Sequence, residues 1–126
     1  MLQHIFNLIT FWKPKPKTQV PPFIKSKAES SLFYEKEAAF KIIKFAKRHF
    51  IDAADLQELF DAELEYEQKK YQARHDFPHQ SAIRKSDIAD AKKLKYQRIK
   101  EKMSTEAYRK YRSYRARQKK KYPQKD

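Results

Sequence analysis

The sequence predicts an all-α protein: a small helical hairpin core, a tethered amphipathic helix before it, and a long basic helical arm after it. Three observations carry that prediction. The 126 residues contain no glycine, where average usage would supply about nine, and Asn7 is the only asparagine. Sharp turns with φ > 0 therefore have few residues to make them, which disfavours tight β-hairpins. Apolar residues recur at i, i+3, i+4 spacing through most of the chain, as helices require. The six prolines lie between those periodic segments rather than inside them.

Residues 1–12 read as the first helix. Leu2, Ile5, Phe6, Ile9 and Trp12 share one face, widened by Leu8 and Phe11. At about 1.5 Å per residue the segment is too short to cross a bilayer. It also lacks the charge pattern and small-residue cleavage site of a secretory signal. Residues 13–26 read as a linker, because Pro14, Pro16, Pro21 and Pro22 favour extended chain.

The core is expected over residues 27–79. A helix over 28–50 presents Leu32, Ala39, Ile42, Ile43, Ala46 and Phe50, widened by Phe33, Phe40 and Phe45, with Ser30 or Ser31 near its start. Its opposite face carries Lys36, Lys41, Lys44, Lys47 and Arg48. A second helix over 53–74, capped by Asp52, folds back as an antiparallel hairpin through Leu56, Leu59, Phe60, Leu64 and Tyr71. It holds seven acids with its cap: Asp52, Asp55, Glu58, Asp61, Glu63, Glu65 and Glu67. Their expected use is internal, pairing with the basic helices. Such an acidic helix is a poor reader of a DNA groove, which weighs against a helix-turn-helix.

Pro78 stops that helix. Residues 80–126 are expected to form the arm. Its first helix spans 87–103 behind Ser86 as N-cap, with a thin apolar stripe of Ile88, Ala91, Leu94, Ile99 and Met103. Ser104 reads as a fresh N-cap. The next helix opens on a Tyr-Arg-x unit repeated three times, Tyr108 to Ala116, and runs into a basic tail.

The charge is formally +14, with 30 Lys and Arg against 16 Asp and Glu. From Arg84 onward the chain holds seventeen of those thirty bases and five acids. Such a balance points to a phosphate-bearing partner. Arg pairs with phosphate bidentately, and Tyr beside Arg can stack on unpaired bases. The candidate nucleic-acid-binding residues are therefore Tyr108, Arg109, Tyr111, Arg112, Tyr114, Arg115, Arg117, Lys119, Lys120 and Lys121. The competing reading for the tyrosines is that they pack on the body.

The expected function is sequence-tolerant nucleic-acid binding, RNA or single strands before a specific duplex site. The alternative is a peripheral membrane or protein-docking adaptor or inhibitor that uses the first helix, through Leu2, Ile5, Phe6, Ile9 and Trp12, with self-association a further use of that face. No glycine-rich phosphate loop or nucleophile elbow can exist without glycine. With no cysteine there is no thiol or zinc-knuckle chemistry, and His75 and His79 are separated by Pro78. An enzyme, a cofactor and a metal are not expected. The lack of cysteine fits a cytoplasmic location.

Overall fold

A computed structural model describes residues 19–121. The anticipated N-terminal helix lies outside the described residues, as do residues 13–18 of the 13–26 linker. Among the described residues there are five helices and no strand, which is the all-α class expected. They are α1 (Pro22–Lys27), α2 (Phe33–Arg48), α3 (Ala53–Asp76), α4 (Ser81–Lys102) and α5 (Thr105–Lys121). No described residue has a positive φ, so every connection is built from ordinary backbone, as a chain without glycine requires. None of these helices is long and apolar enough to cross a membrane.

The short helix α1 corrects the expectation that the linker stays extended to residue 26. Pro21 is extended, at φ −54° and ψ 141°, but Pro22 opens a helical turn. Proline suits that position, because the first helical N–H has no partner to lose. The turn plants Ile24 fully in the core, and Lys27 reaches Glu35 of α2 at 2.7 Å.

Helix α2 starts five residues later than expected. Ser30 lies before it, accepting from the Leu32 amide at 3.1 Å and donating to Glu35 Oε1 at 2.7 Å. Its buried stripe is Ala38, Ala39, Ile42, Phe45 and Ala46. Phe33 and Phe40 do not join that stripe, because they lie about 160–180° round the helix from Ile42. Leu32, Phe33, Phe40 and Phe50 are all exposed, whereas Phe45 is fully buried.

Helix α3 follows Asp52 as expected, although the Asp52 side chain makes no capping hydrogen bond. It packs against α2 on one side and α4 on the other. This central place buries Leu56, Leu59, Phe60 and Ala62 and leaves Tyr71 exposed. The helix ends before Pro78. Arg84 then donates to the carbonyls of Phe77 at 3.2 Å and Pro78 at 2.9 Å, clasping the break.

Helix α4 begins six residues before the expected start, at Ser81, so Ser86 lies inside it rather than capping it. Residues 81–86 contain no glycine or proline to delay the helix. Its buried residues are Ala91, Lys95 and Ile99, with Met103 just beyond; Leu94 is exposed. The stripe 91–95–99 advances four residues at a time, about 40° per step, and so passes through a lysine.

Ser104 caps α5 as expected. Its Oγ accepts from the Ala107 amide at 3.2 Å. Asp55 of α3 accepts from the Ser104 amide at 3.0 Å and the hydroxyl at 2.8 Å, tying the α4–α5 corner to the hairpin. Ala107, Tyr111 and Tyr114 then enter the same core cluster as Ile24, Ile42, Phe45 and Phe60. The core is therefore shared between the 27–79 segment and the expected arm. Helix α5 closes the hairpin rather than extending from it.

Candidate nucleic-acid interface

The ten basic-arm candidates fall into three groups on α5. Tyr111 and Tyr114 are only 2% and 7% exposed. Both rings lie 5.3 Å from Phe45, centroid to centroid. A base has no open face to stack on there, which corrects their expected role. The competing reading, packing on the body, is what these two side chains do, and Tyr108 is half-buried beside them. The signal was present: Ala107, Tyr111 and Tyr114 are spaced i, i+4, i+7, one helical face.

Arg112, Arg115 and Lys119, at i, i+3, i+7, line a groove. Arg109, Arg117 and Lys120 are exposed and are not among the residues that line the groove. The side chain of Lys121 lies outside the described residues.

The groove measures about 1180 Å³. That exceeds the roughly 300–1,000 Å³ of a small-molecule pocket. Helix α2 supplies Lys41, Lys44, Lys47 and Arg48 to it, and α4 supplies Lys92. The three α5 cations complete the set, and Glu37 is the one acid on the lining. Sequence reasoning saw the α2 cations as one face but did not assign them to the site. That α2 and α5 line one groove follows from tertiary packing, which no local pattern encodes. A separate cavity between α3 and α4, lined by Ala62, Ala91 and Arg98 among others, measures about 160 Å³ and is too small for a ligand of ordinary size.

Below the groove floor lies a buried ionic cluster. Glu63 is fully buried. Lys95 Nζ lies 3.1 Å from its Oε2, and the Tyr111 hydroxyl donates to the same oxygen at 2.8 Å. Lys41 Nζ is 3.5 Å from Oε1 and also bonds Glu67. Burial alone would raise the Glu63 carboxyl. The Lys95 and Lys41 ammonium groups, with the two hydrogen bonds, outweigh burial and hold it at about 2. Burial pulls Lys95 below the ordinary lysine value, while Glu63 pulls the other way. Tyr66 and Tyr96 place their rings 4.6 and 4.7 Å from Lys95 Nζ, further sheltering its charge. Burial, with Glu63 beside it, raises the Tyr111 phenol well above its usual range, so it remains a donor.

This cluster and its neighbours meet the expectation that the acidic helix is used internally. Arg98 spans Glu58 at 2.9 Å and Glu65 at 3.0 Å. Asp55 is engaged with Ser104 as described above. Among the described residues, no group of three or more histidines and carboxylates could hold a metal.

The groove cations are held differently. The Arg112 guanidinium lies 4.7 Å from the Tyr96 ring centroid, a cation–π arrangement that positions it without neutralising it. No carboxylate lies within ion-pair distance of Lys44, Lys47, Arg48, Lys92, Arg112, Arg115 or Lys119 among the described residues. His49 lies beside Arg48 at one end of this set, with Arg117 and Lys110 also near it. Its ring packs on Phe45 at 5.1 Å and Tyr114 at 6.0 Å. Burial first, then Arg117, Lys110 and Arg48, push its pKa below the usual histidine value.

No protein-family model, curated protein or solved structure matches this chain.

Proposed function

We propose that this protein binds nucleic acid without strong sequence preference, holding the phosphate backbone in the groove between α2, α4 and α5. The observation that carries this reading is the convergence of eight cationic side chains from three helices on one concave surface bearing a single acid. Binding would draw on counterion release, which is blind to sequence. Lys41 is the least available of the eight, because Glu63 and Glu67 already engage it.

The test is fluorescence anisotropy of a labelled oligonucleotide against salt, with the full chain. For about six phosphates on a single strand, log affinity should fall against log salt with a slope of roughly −4. Two triple variants with the same change in charge separate the groove from general basicity. Lys44→Glu/Arg112→Glu/Lys119→Glu should lose most of the affinity and flatten the slope. Arg109→Glu/Arg117→Glu/Lys120→Glu should lose much less. A slope near zero would end the reading, and equal losses would remove the groove from it.

His49 offers a second readout. Its NMR titration midpoint should lie below 6.5 in the free protein. Of the cations that oppose its protonation, Arg48 lines the groove, so a polyanion held there should raise the midpoint. An unmoved midpoint at saturating oligonucleotide would place the ligand away from Arg48.

A further inference from the structure

We propose that Phe40 is the base-stacking residue of the groove, taking the face of an unpaired base while Lys44 and Lys47 hold the adjoining phosphates. The inference rests on the nucleic-acid reading above and names the element that would separate single strands from duplexes.

The rings first assigned that role are already engaged. Tyr111 and Tyr114 pack against Phe45, and Tyr96 lies between Arg112 and Lys95. Phe40 lines the same groove and is 44% exposed. Among the described residues no other ring and no cation sits on it.

Its position follows from the helix. Phe40 lies about 160° round α2 from Ile42, so it cannot turn inward unless Ile42 and Phe45 turn out. Lys44 and Lys47 fall within about 40° of it, one and two turns further on. An open ring is thus flanked by two ammonium groups on the wall of a cationic groove. An unpaired base has a free π-face on a phosphate-bearing chain, and it matches both features. In a duplex that face is covered by its neighbours, which leaves only the phosphates to be bound. Stacking of this kind reads no particular base, because every base has such a face.

The test uses the full chain with three labelled ligands of equal length: a single-stranded oligonucleotide, the same backbone with abasic sites throughout, and a duplex. Phe40→Ala should weaken binding of the base-bearing single strand roughly 5- to 100-fold. Binding of the abasic strand and the duplex should stay as in the parent protein, and Phe40→Tyr should restore most of the loss. Circular dichroism confirms that the exposed substitution leaves the fold intact. If Phe40→Ala leaves the base-bearing strand unaffected, or weakens it and the abasic strand equally, the stacking role is overturned while the groove stands. If the parent protein binds none of the three, both readings fall.

Discussion

Glu63→Ala should destabilise the protein by about 3–5 kcal/mol, read as a shift of the urea midpoint. The magnitude is that of a buried ion pair stripped of one partner. Lys95, 4% exposed, would be left without its carboxylate, and the Tyr111 hydroxyl would lose the acceptor 2.8 Å away. For a domain whose total stability is of the usual order, about 5–15 kcal/mol, this loss is close to the limit of folding. The double variant Glu63→Leu/Lys95→Met should recover much of it, since a hydrophobic pair carries no desolvation penalty. A change below about 1 kcal/mol for Glu63→Ala would mean that the cluster is solvated.

The same carboxylate gives stability a defined pH dependence. Its pKa falls from 4.5 to about 2 on folding, a shift equivalent to roughly 3 kcal/mol. The folded state binds this proton more weakly than the unfolded state. The contribution is therefore complete above about pH 4.5 and is lost as pH falls toward 2. Acid titration of the urea midpoint should show a steeper slope in the parent protein than in Glu63→Leu/Lys95→Met, where Glu35 and Glu65 still contribute.

Phe45→Ala is the second large effect, at about 3–5 kcal/mol for truncating a fully buried aromatic side chain. Phe45 packs on Tyr111, Tyr114 and His49, so it is the main ring contact between α2 and α5. Its loss should also weaken oligonucleotide binding, because the two basic walls are registered through it. Phe40, five residues earlier and exposed, should give the opposite pattern, with stability changed by about 0.5 kcal/mol or less and binding reduced. Measuring both variants by urea denaturation and by anisotropy would separate them; matching profiles would refute the assignment of one ring to the core and the other to the groove.

The punctuation of the fold was legible in the sequence. Pro78 ends α3, Ser104 caps α5, and Asp52 precedes α3, because these act through neighbouring backbone. Proline read as a simple helix breaker misplaced Pro22, which starts a helix. Burial was legible where a stripe was apolar and failed where it was charged. Lys95 occupies an inward position of α4, but its partner Glu63 lies 32 residues away, beyond any local pattern. The groove was half legible. The α5 cations stood out as a repeat, while those of α2 looked like an ordinary wetted face until α5 was seen to line the same groove. Tyr111 and Tyr114 were misassigned because the Tyr-Arg repeat has a period of three, which draws attention away from the 3.6-residue stripe running through it.

One carboxylate on α3 meets a lysine from α2, a lysine from α4 and a phenol from α5. Detaching any of these three helices takes a partner from that carboxylate. Partial opening is thereby penalised, which favours melting of the four long helices as one cooperative unit.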